Sequence, residues 1–243
     1  MISIVVPSRN RPDNLTRLVK SLKDTSSNFD NLDIILRLDD DDKDLAEYKK
    51  RLDGYKNINI LVDGKRENLS DLWDECYYAT KHPLVMMCAD DVVFRTKNWD
   101  KILNNRMPNP DKTLYLAWCD DKNQGPLIPT LPIMSKAWID SIGYFVPRDY
   151  VCDFCDVHIH EIARRLQKFN IEVMLYNKDI IIEHMHPTVA KGKWDAVYTS
   201  RRDKRSKAAI IFKRKAKERK ATSEKLRDLV KSGKLDSINI KAK

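Results

Sequence analysis

Residues 2–22 read Ile-Ser-Ile-Val-Val-Pro-Ser-Arg-Asn-Arg-Pro-Asp-Asn-Leu-Thr-Arg-Leu-Val-Lys-Ser-Leu, and this stretch sets the fold class. Ile2 to Val6 is a short apolar run rich in β-branched residues, which suits a strand buried on both faces. Ser8 to Pro12 makes a turn, Asp13 can cap the helix that follows, and Leu15, Leu18, Val19 and Leu22 share one helical face. The same unit then repeats. Ile34 to Leu38 is a second apolar run, Leu45, Tyr48, Lys49 and Leu52 suggest a helix, and Ile58 to Val62 is a third strand. Leu69, Leu72, Trp73, Cys76 and Ala79 have helical spacing, and Leu84 to Cys88 is a fourth strand that stops at Ala89-Asp90-Asp91. Alternation of this kind predicts an α/β domain with a mostly parallel sheet flanked by helices.

In such sheets ligands sit beyond the carboxyl ends of the strands. Here those ends carry Pro7-Ser8-Arg9 with Arg11 close behind, the aspartates 39–42, and Asp90-Asp91. Three successive strand ends bearing polar, largely acidic residues mark a candidate site.

The second half is less regular. Leu114 to Trp118 reads as a strand, Ser135 to Ile142 as a short helix ended by Gly143, and Asp156 to Gln167 as a longer helix. Ile171 to Tyr176 and Asp179 to Ile182 read as two strands, the latter leading into Glu183-His184-Met185-His186-Pro187. From Ser200 on, Lys and Arg dominate, and Ala208 to Leu229 has helical character. The expected organisation is a catalytic body over 1–199, with halves of about 1–95 and 96–199, followed by a basic, mostly helical tail over 200–243.

Composition bounds the function. The chain has 243 residues, 42% hydrophobic and 33% charged, enough to build a sizeable core and too apolar for wholesale disorder. Its longest apolar run is too short to cross a bilayer, and Met1 leads straight into the first strand without a secretory pattern. Five cysteines do not form a disulfide framework, so a reducing cytoplasm is the expected compartment. The net charge is +9, but residues 200–243 hold 17 Lys and Arg against 5 Asp and Glu, leaving the body slightly acidic. A tail of that kind attracts polyanions; a solvated helix that only aids solubility, or one that braces the body through Ala208, Ile211, Phe212, Leu226 and Leu229, fits equally well.

Asp90 and Asp91 are the sharpest chemical feature. Paired carboxylates at a strand end repel unless a cation or water relieves them, and one or two carboxylates with phosphate and water are how Mg²⁺ is usually held. Mn²⁺ also accepts an imidazole, which His184 or His186 could supply. Lys191 and Lys193 follow in a short loop, where they could neutralise a diphosphate. Asp153 and Asp156 stand at the start of a helix, as caps or as a general base. Cys152 and Cys155 form a C-x-x-C pair near His158 and His160, without the second pair of a zinc site. No Gly-rich phosphate loop is present, so diphosphate binding must run through metal and basic side chains.

Together these residues resemble a family-2-type nucleotide-sugar glycosyltransferase with the GT-A fold. The opening IVVPSRNRPDNLTRLVKSL is similar to that family's first strand, nucleotide-contacting turn and first helix, and LRLDDDD to its second strand, whose carboxylate lies near the nucleoside. MMCADDV resembles the strand that presents the DxD-type metal motif, with Ala89 where many members have the first Asp. PIMSKAWIDSIGYF resembles the segment leading to the acceptor side, and DFCDVHIHEIARR the helix with the acidic base of inverting members. EHMHP resembles the late histidine that returns to the metal. The resemblance spans about residues 1–195.

It implies a metal-dependent, inverting sugar transfer from a nucleoside-diphosphate sugar to an acceptor hydroxyl, with Mn²⁺ or Mg²⁺. By this reading Asp91 and His186 hold the metal. Pro7, Ser8, Arg9, Arg11, Asp39, Asp40, Asp90, Lys191 and Lys193 face the donor, and Asp156, with Asp153 second, takes the acceptor's proton. The basic tail, through Arg201, Arg202, Lys204, Arg205, Lys213, Arg214 and Lys215, points to a nucleic-acid acceptor. DNA with a hydroxymethylated pyrimidine, as in bacteriophages that sugar-coat their genomes, is the specific expectation, which would place the enzyme in a host cytoplasm. A glycan or small-molecule acceptor, a metal-dependent nucleotidyltransferase and a non-enzymatic nucleic-acid-binding protein are the alternatives.

Overall fold

A computed structural model describes residues 1–238; the last five residues of the expected tail lie outside the described residues. Strands β1 (Ile2–Ser8), β2 (Asp33–Asp39), β3 (Ile58–Asp63) and β4 (Leu84–Met87) run parallel, and helices α1 (Pro12–Thr25), α2 (Leu45–Leu52) and α3 (Leu69–Tyr78) connect them in turn. Val5 lies opposite Ile35 on one side and Met87 on the other, which aligns the ends of the three central strands. The side-chain period of two sorts the core. Ile2, Ile4 and Val6 pack with Leu15, Leu18 and Leu22 of α1 on one face, while Val5 and Ile35 meet Trp73 and Cys76 of α3 on the other.

The rest of the sheet mixes directions. β5 (Val92–Phe94), α4 (Trp99–Arg106), β6 (Leu116–Asp120), β7 (Ile133–Ser135), α5 (Lys136–Ile142), α6 (Cys155–Gln167) and β8 (Met174–His184) follow. The eight strands order as β3-β2-β1-β4-β7-β6-β8-β5, with β7 antiparallel to both neighbours and β5 antiparallel to β8. The two strands expected over 171–182 are one strand, whose register against β6 shifts after Asn177, so an irregularity takes up the break. β5, β7 and α4 were not expected; the two strands are three residues each, too short to show a period.

The basic segment is not a detached extension. It forms α7 (Ala196–Arg214) and α8 (Ala216–Lys231), with α7 beginning before the expected boundary at 199. Ala208, Ile211 and Leu226 are fully buried or nearly so, in one cluster with Ile159, Ile162 and Leu166 of α6. Arg219 is buried between them, its Nε 2.6 Å from Glu161 and its guanidinium 3.8 Å above the Phe212 ring. Beyond α8 the chain returns to the body, where the Leu114 amide donates to Asp236 and that of Ile238 to Glu172. The bracing arrangement is thus the observed one. No helix among the described residues is long and apolar enough to cross a membrane.

Candidate active site

β4 ends where the chain must turn to re-enter the sheet as β5, and that turn is Ala89-Asp90-Asp91. β5 pairs with β8 in a register that sets Val92 opposite His184, and the Met185 amide donates to the Asp91 carbonyl at 2.7 Å. His184 Nε2 consequently lies 3.2 Å from Asp91 Oδ2. The Tyr198 hydroxyl of α7 donates to the same oxygen. Burial alone would raise the Asp91 carboxyl, but His184, Tyr198 and Arg11 outweigh it and hold the group well below the usual carboxylate range. Asp90 goes the other way. It accepts from Ser8 Oγ at 2.7 Å and Arg11 at 3.2 Å, yet burial dominates and pushes it up to about 6.

These groups open onto a cleft of about 400 Å³. Of the sequence-predicted site residues, Pro7, Ser8, Arg9, Arg11, Asp39, Asp90, Asp91, Asp153 and Asp156 line it. Arg9 bridges Asp39 at 2.7 Å and Asp41 at 3.1 Å. The buried Arg37 supports this end from below, donating to Glu75 at 2.6 Å and to the Gly64 carbonyl at 2.8 Å. Asp40 is exposed and does not line the cleft.

At the opposite end, α6 begins just after Phe154, whose φ of +77° is unusual for a residue with a side chain. The Phe154 ring packs on Phe212 of α7 at 5.4 Å, which holds the turn. The turn aims Asp153 and Asp156 into the cleft. Asp153 pairs with Arg201 Nε at 2.6 Å. Asp156 has no side-chain partner among the described residues; it accepts from the Val157 amide at 2.8 Å, and burial raises its carboxyl to about 6. It is not the helix cap, because Phe154 occupies that position.

Three expectations differ from the geometry. His184, not His186, meets Asp91: the two rings are 5.4 Å apart, and His186 Nδ1 is engaged by Thr188 at 2.7 Å. Lys191 and Lys193 do not line the cleft, for Lys191 pairs with Glu183 at 2.8 Å and Lys193 is exposed. The basic residues of the tail divide. Arg201 and Lys204 line the cleft, Arg205 lies 3.7 Å from Asp153, and Lys215 pairs with Asp149 and Glu218, while Arg202, Lys213 and Arg214 are exposed. The C-x-x-C pair is two buried free thiols, and His158 is bonded to the Tyr150 hydroxyl at 3.0 Å with its pKa lowered by burial to about 3.

Sequence reading missed Tyr48, Lys65, Arg66, Asp195 and Tyr198. Tyr48 bonds Ser8 Oγ at 3.0 Å and accepts from the Arg11 amide at 2.7 Å, fixing the turn after β1. Asp195 caps α7 and grips Arg11 with both oxygens at 2.8 Å. Asp195 followed by Tyr198 is a recognisable helix start, but nothing local says what that helix faces. The linker before it folds tightly on itself: a Cβ at Gly192 would lie 2.2 Å from the Met185 carbonyl oxygen.

A divalent cation fits the donor set. Asp91 Oδ1 and His184 Nδ1 are both buried without a hydrogen-bond partner, so the carboxylate has unused capacity beside an imidazole. No cluster of three or more His, Cys, Asp or Glu that could hold a metal occurs among the described residues. Phosphate and water would complete the shell, as is usual for Mg²⁺ or Mn²⁺.

The family profile described as "Glycosyl transferase family 2" matches residues 3–173, well over half of the sequence. The chain belongs to glycosyl transferase family 2. No curated protein matches this family member's sequence. Among solved structures, a mannosyltransferase from Pyrobaculum calidifontis in complex with GDP-Man and Mn²⁺ is similar, with a TM-score of 0.60 at 10% identity. That match covers 78% of this chain and 58% of the other. S. aureus TarS 1–349 in complex with UDP-GlcNAc also has a TM-score of 0.60, at 12% identity, over 74% of this chain and 57% of that one. The family-2 chain thus spans little more than half of each neighbour, and shares with them the expected α/β fold of a curled sheet flanked by helices.

Proposed function

We propose that this protein is a glycosyltransferase that moves a sugar from a nucleoside-diphosphate donor to an acceptor hydroxyl. One observation carries the reading: Asp91 with His184, and Asp156 with its pKa raised to about 6, face the same cleft at the carboxyl ends of parallel strands. Family membership and two neighbours described with GDP-Man and UDP-GlcNAc support it. Asp39 and Arg9 stand at the nucleoside end, while Arg11, Arg201 and Lys204 supply positive charge toward the phosphates. A bound Mn²⁺ or Mg²⁺, held by Asp91 and His184, would neutralise charge building on the leaving diphosphate. Asp156 takes the acceptor proton as that oxygen bonds to the anomeric carbon and the sugar–phosphate bond breaks. A single displacement inverts the anomeric centre.

The acceptor that fits the charge is a polyanion, DNA carrying a hydroxymethylated pyrimidine, which implies a bacteriophage enzyme at work in its host's cytoplasm. Its support is the exposed basic residues Arg202, Lys204, Arg205 and Lys207 on α7, of which Lys204 lines the cleft. The test is a panel of nucleotide sugars with Mn²⁺, with and without hydroxymethylated duplex. Nucleoside diphosphate release that disappears in Asp91→Ala supports the enzyme reading; no release from any donor overturns it. The DNA arm uses Arg202→Glu, Arg205→Glu and Lys207→Glu rather than truncation, because Ala208, Ile211 and Leu226 belong to the core. Affinity for duplex should fall steeply as salt rises and weaken in these variants. Equal, negligible DNA binding by all forms removes DNA as the acceptor.

A further inference from the structure

The first turns of α7 reach three separate parts of the cleft. Asp195, Tyr198 and Arg201 are spaced three apart and so share one helical face. Asp195 grips Arg11 at 2.8 Å through both oxygens, Tyr198 donates to Asp91, and Arg201 pairs with Asp153 at 2.6 Å. The Tyr198 ring also lies 4.1 Å from the Arg11 guanidinium carbon, so the contacts reinforce one another.

This clamp occupies the place a cation would take. One oxygen of Asp91 bonds Tyr198 and His184, and the other is buried without a partner. A cation therefore reaches Asp91 only when a neighbour withdraws. The His184 backbone is held in the pairing of β8 with β5, and its imidazole is itself wanted as a ligand beside Asp91, so it stays in place. Tyr198 can, because no side chain is buried between it and Ala208, ten residues further along α7. Lifting that segment breaks side-chain pairs and leaves the apolar anchor at Ala208 and Ile211 in place.

We propose that Tyr198 is an internal stand-in for the cation, and that the first turns of α7 form a strap that closes the resting cleft. A ligand shifts such an equilibrium only by its differential affinity for the two states, and here the difference is built in: the cation and the Tyr198 hydroxyl compete for one carboxylate. When the strap lifts, Asp195 leaves Arg11, and Arg201 leaves Asp153. Opening by the cation would thus free Arg11, which stays on the turn after β1, for the donor phosphates. The inference rests on the glycosyltransferase reading above for the identity of the competing ligand.

The experiment compares full-length wild type, Tyr198→Phe, Asp195→Asn and Asp91→Asn without nucleotide. Mn²⁺ binding is followed through the electron paramagnetic resonance signal of free Mn²⁺, and the strap through amide hydrogen exchange of residues 196–207. Tyr198→Phe keeps the ring and loses only the hydroxyl. It should bind Mn²⁺ about tenfold tighter, a gain at the low end for loss of a competing hydrogen bond to a charged group. Asp195→Asn should tighten binding less, and Mn²⁺ should speed exchange of 196–207 in wild type. Unchanged or weaker Mn²⁺ binding by Tyr198→Phe overturns the strap while leaving the metal reading intact. Mn²⁺ binding by Asp91→Asn equal to wild type overturns the metal assignment itself, and with it the cation's part in opening.

Discussion

The cleft has two walls built in opposite ways. One is the rim of β1, β2 and β4, where Ser8, Asp39, Asp90 and Asp91 leave strands locked by parallel ladders and buried on both faces. The other is the first turns of α7, which touch the rim through side chains alone and have no buried anchor between Tyr198 and Ala208. The rim fixes where charge sits; the helix wall decides when it is available. Backbone ladders hold a group in one geometry, whereas three side-chain pairs hold a helix only as long as nothing better competes for their partners.

The largest expected effect falls on the rim. Asp91→Ala should abolish transfer with circular dichroism unchanged, because the turn carrying it is fixed by backbone pairing; substantial turnover in excess chelator would break the contrast by making the rim carboxylate dispensable. Next comes Asp156→Asn, expected to lower turnover by about two to four orders of magnitude with donor binding retained. Its pKa of about 6 gives this prediction a pH signature. The base must be ionised, so wild-type kcat/KM should rise with pH up to about 6 and then level off, and the variant should lose that inflection. The same shift has a stability consequence. A carboxyl raised in the folded state contributes stability below its unfolded pKa near 3.8 and loses it as pH climbs through about 6. Asp156→Asn should therefore unfold at a higher temperature than wild type at pH 7, by an amount worth up to about 3 kcal/mol.

Gly192→Ala sharpens the comparison from the linker. Its new Cβ must push back the Met185 carbonyl, and the displacement is passed to Asp195 and Tyr198. A fall of about tenfold in kcat/KM is expected, since small misplacements of a positioned group are costly. Melting temperature measured alongside separates that from unfolding. The smallest effect is expected at Lys191→Ala and Lys193→Ala, which should leave kcat/KM within about twofold of wild type, as exposed or surface-paired charges usually do. A tenfold loss at either would mean that the linker reaches the phosphates during turnover.

The rim was legible in the sequence and the helix wall was not, for a physical reason. A strand buried on both faces is mostly apolar, and the polar residues at its end stand out against it, so Val6-Pro7-Ser8 and Cys88-Ala89-Asp90 announce both strand and site. His184 and His186 have the same local credentials; only the pairing of β5 with β8 selects between them, and a three-residue strand has no period to reveal it. Tyr198 and Asp195 were hidden in the same way. The composition of α7 is dominated by Lys and Arg on its exposed side, and the few residues that face inward are too sparse to register as an amphipathic stripe. Lys191 attracted a phosphate role by type alone, while Glu183, its partner, lay eight positions away on β8.

The left-handed backbone at Phe154 sets a limit on how this site can drift. An ordinary residue in that conformation costs roughly 1–2 kcal/mol, so glycine would be the easier occupant for the chain itself. Glycine, however, would abandon the ring contact with Phe212, over which Arg219 also stacks. Local ease and distant support thus pull the position in opposite directions. Substitutions at Phe212 or Arg219, far from any reacting atom, should be felt as altered chemistry at Asp156, and sequence change at these three positions should be tolerated only when it occurs together.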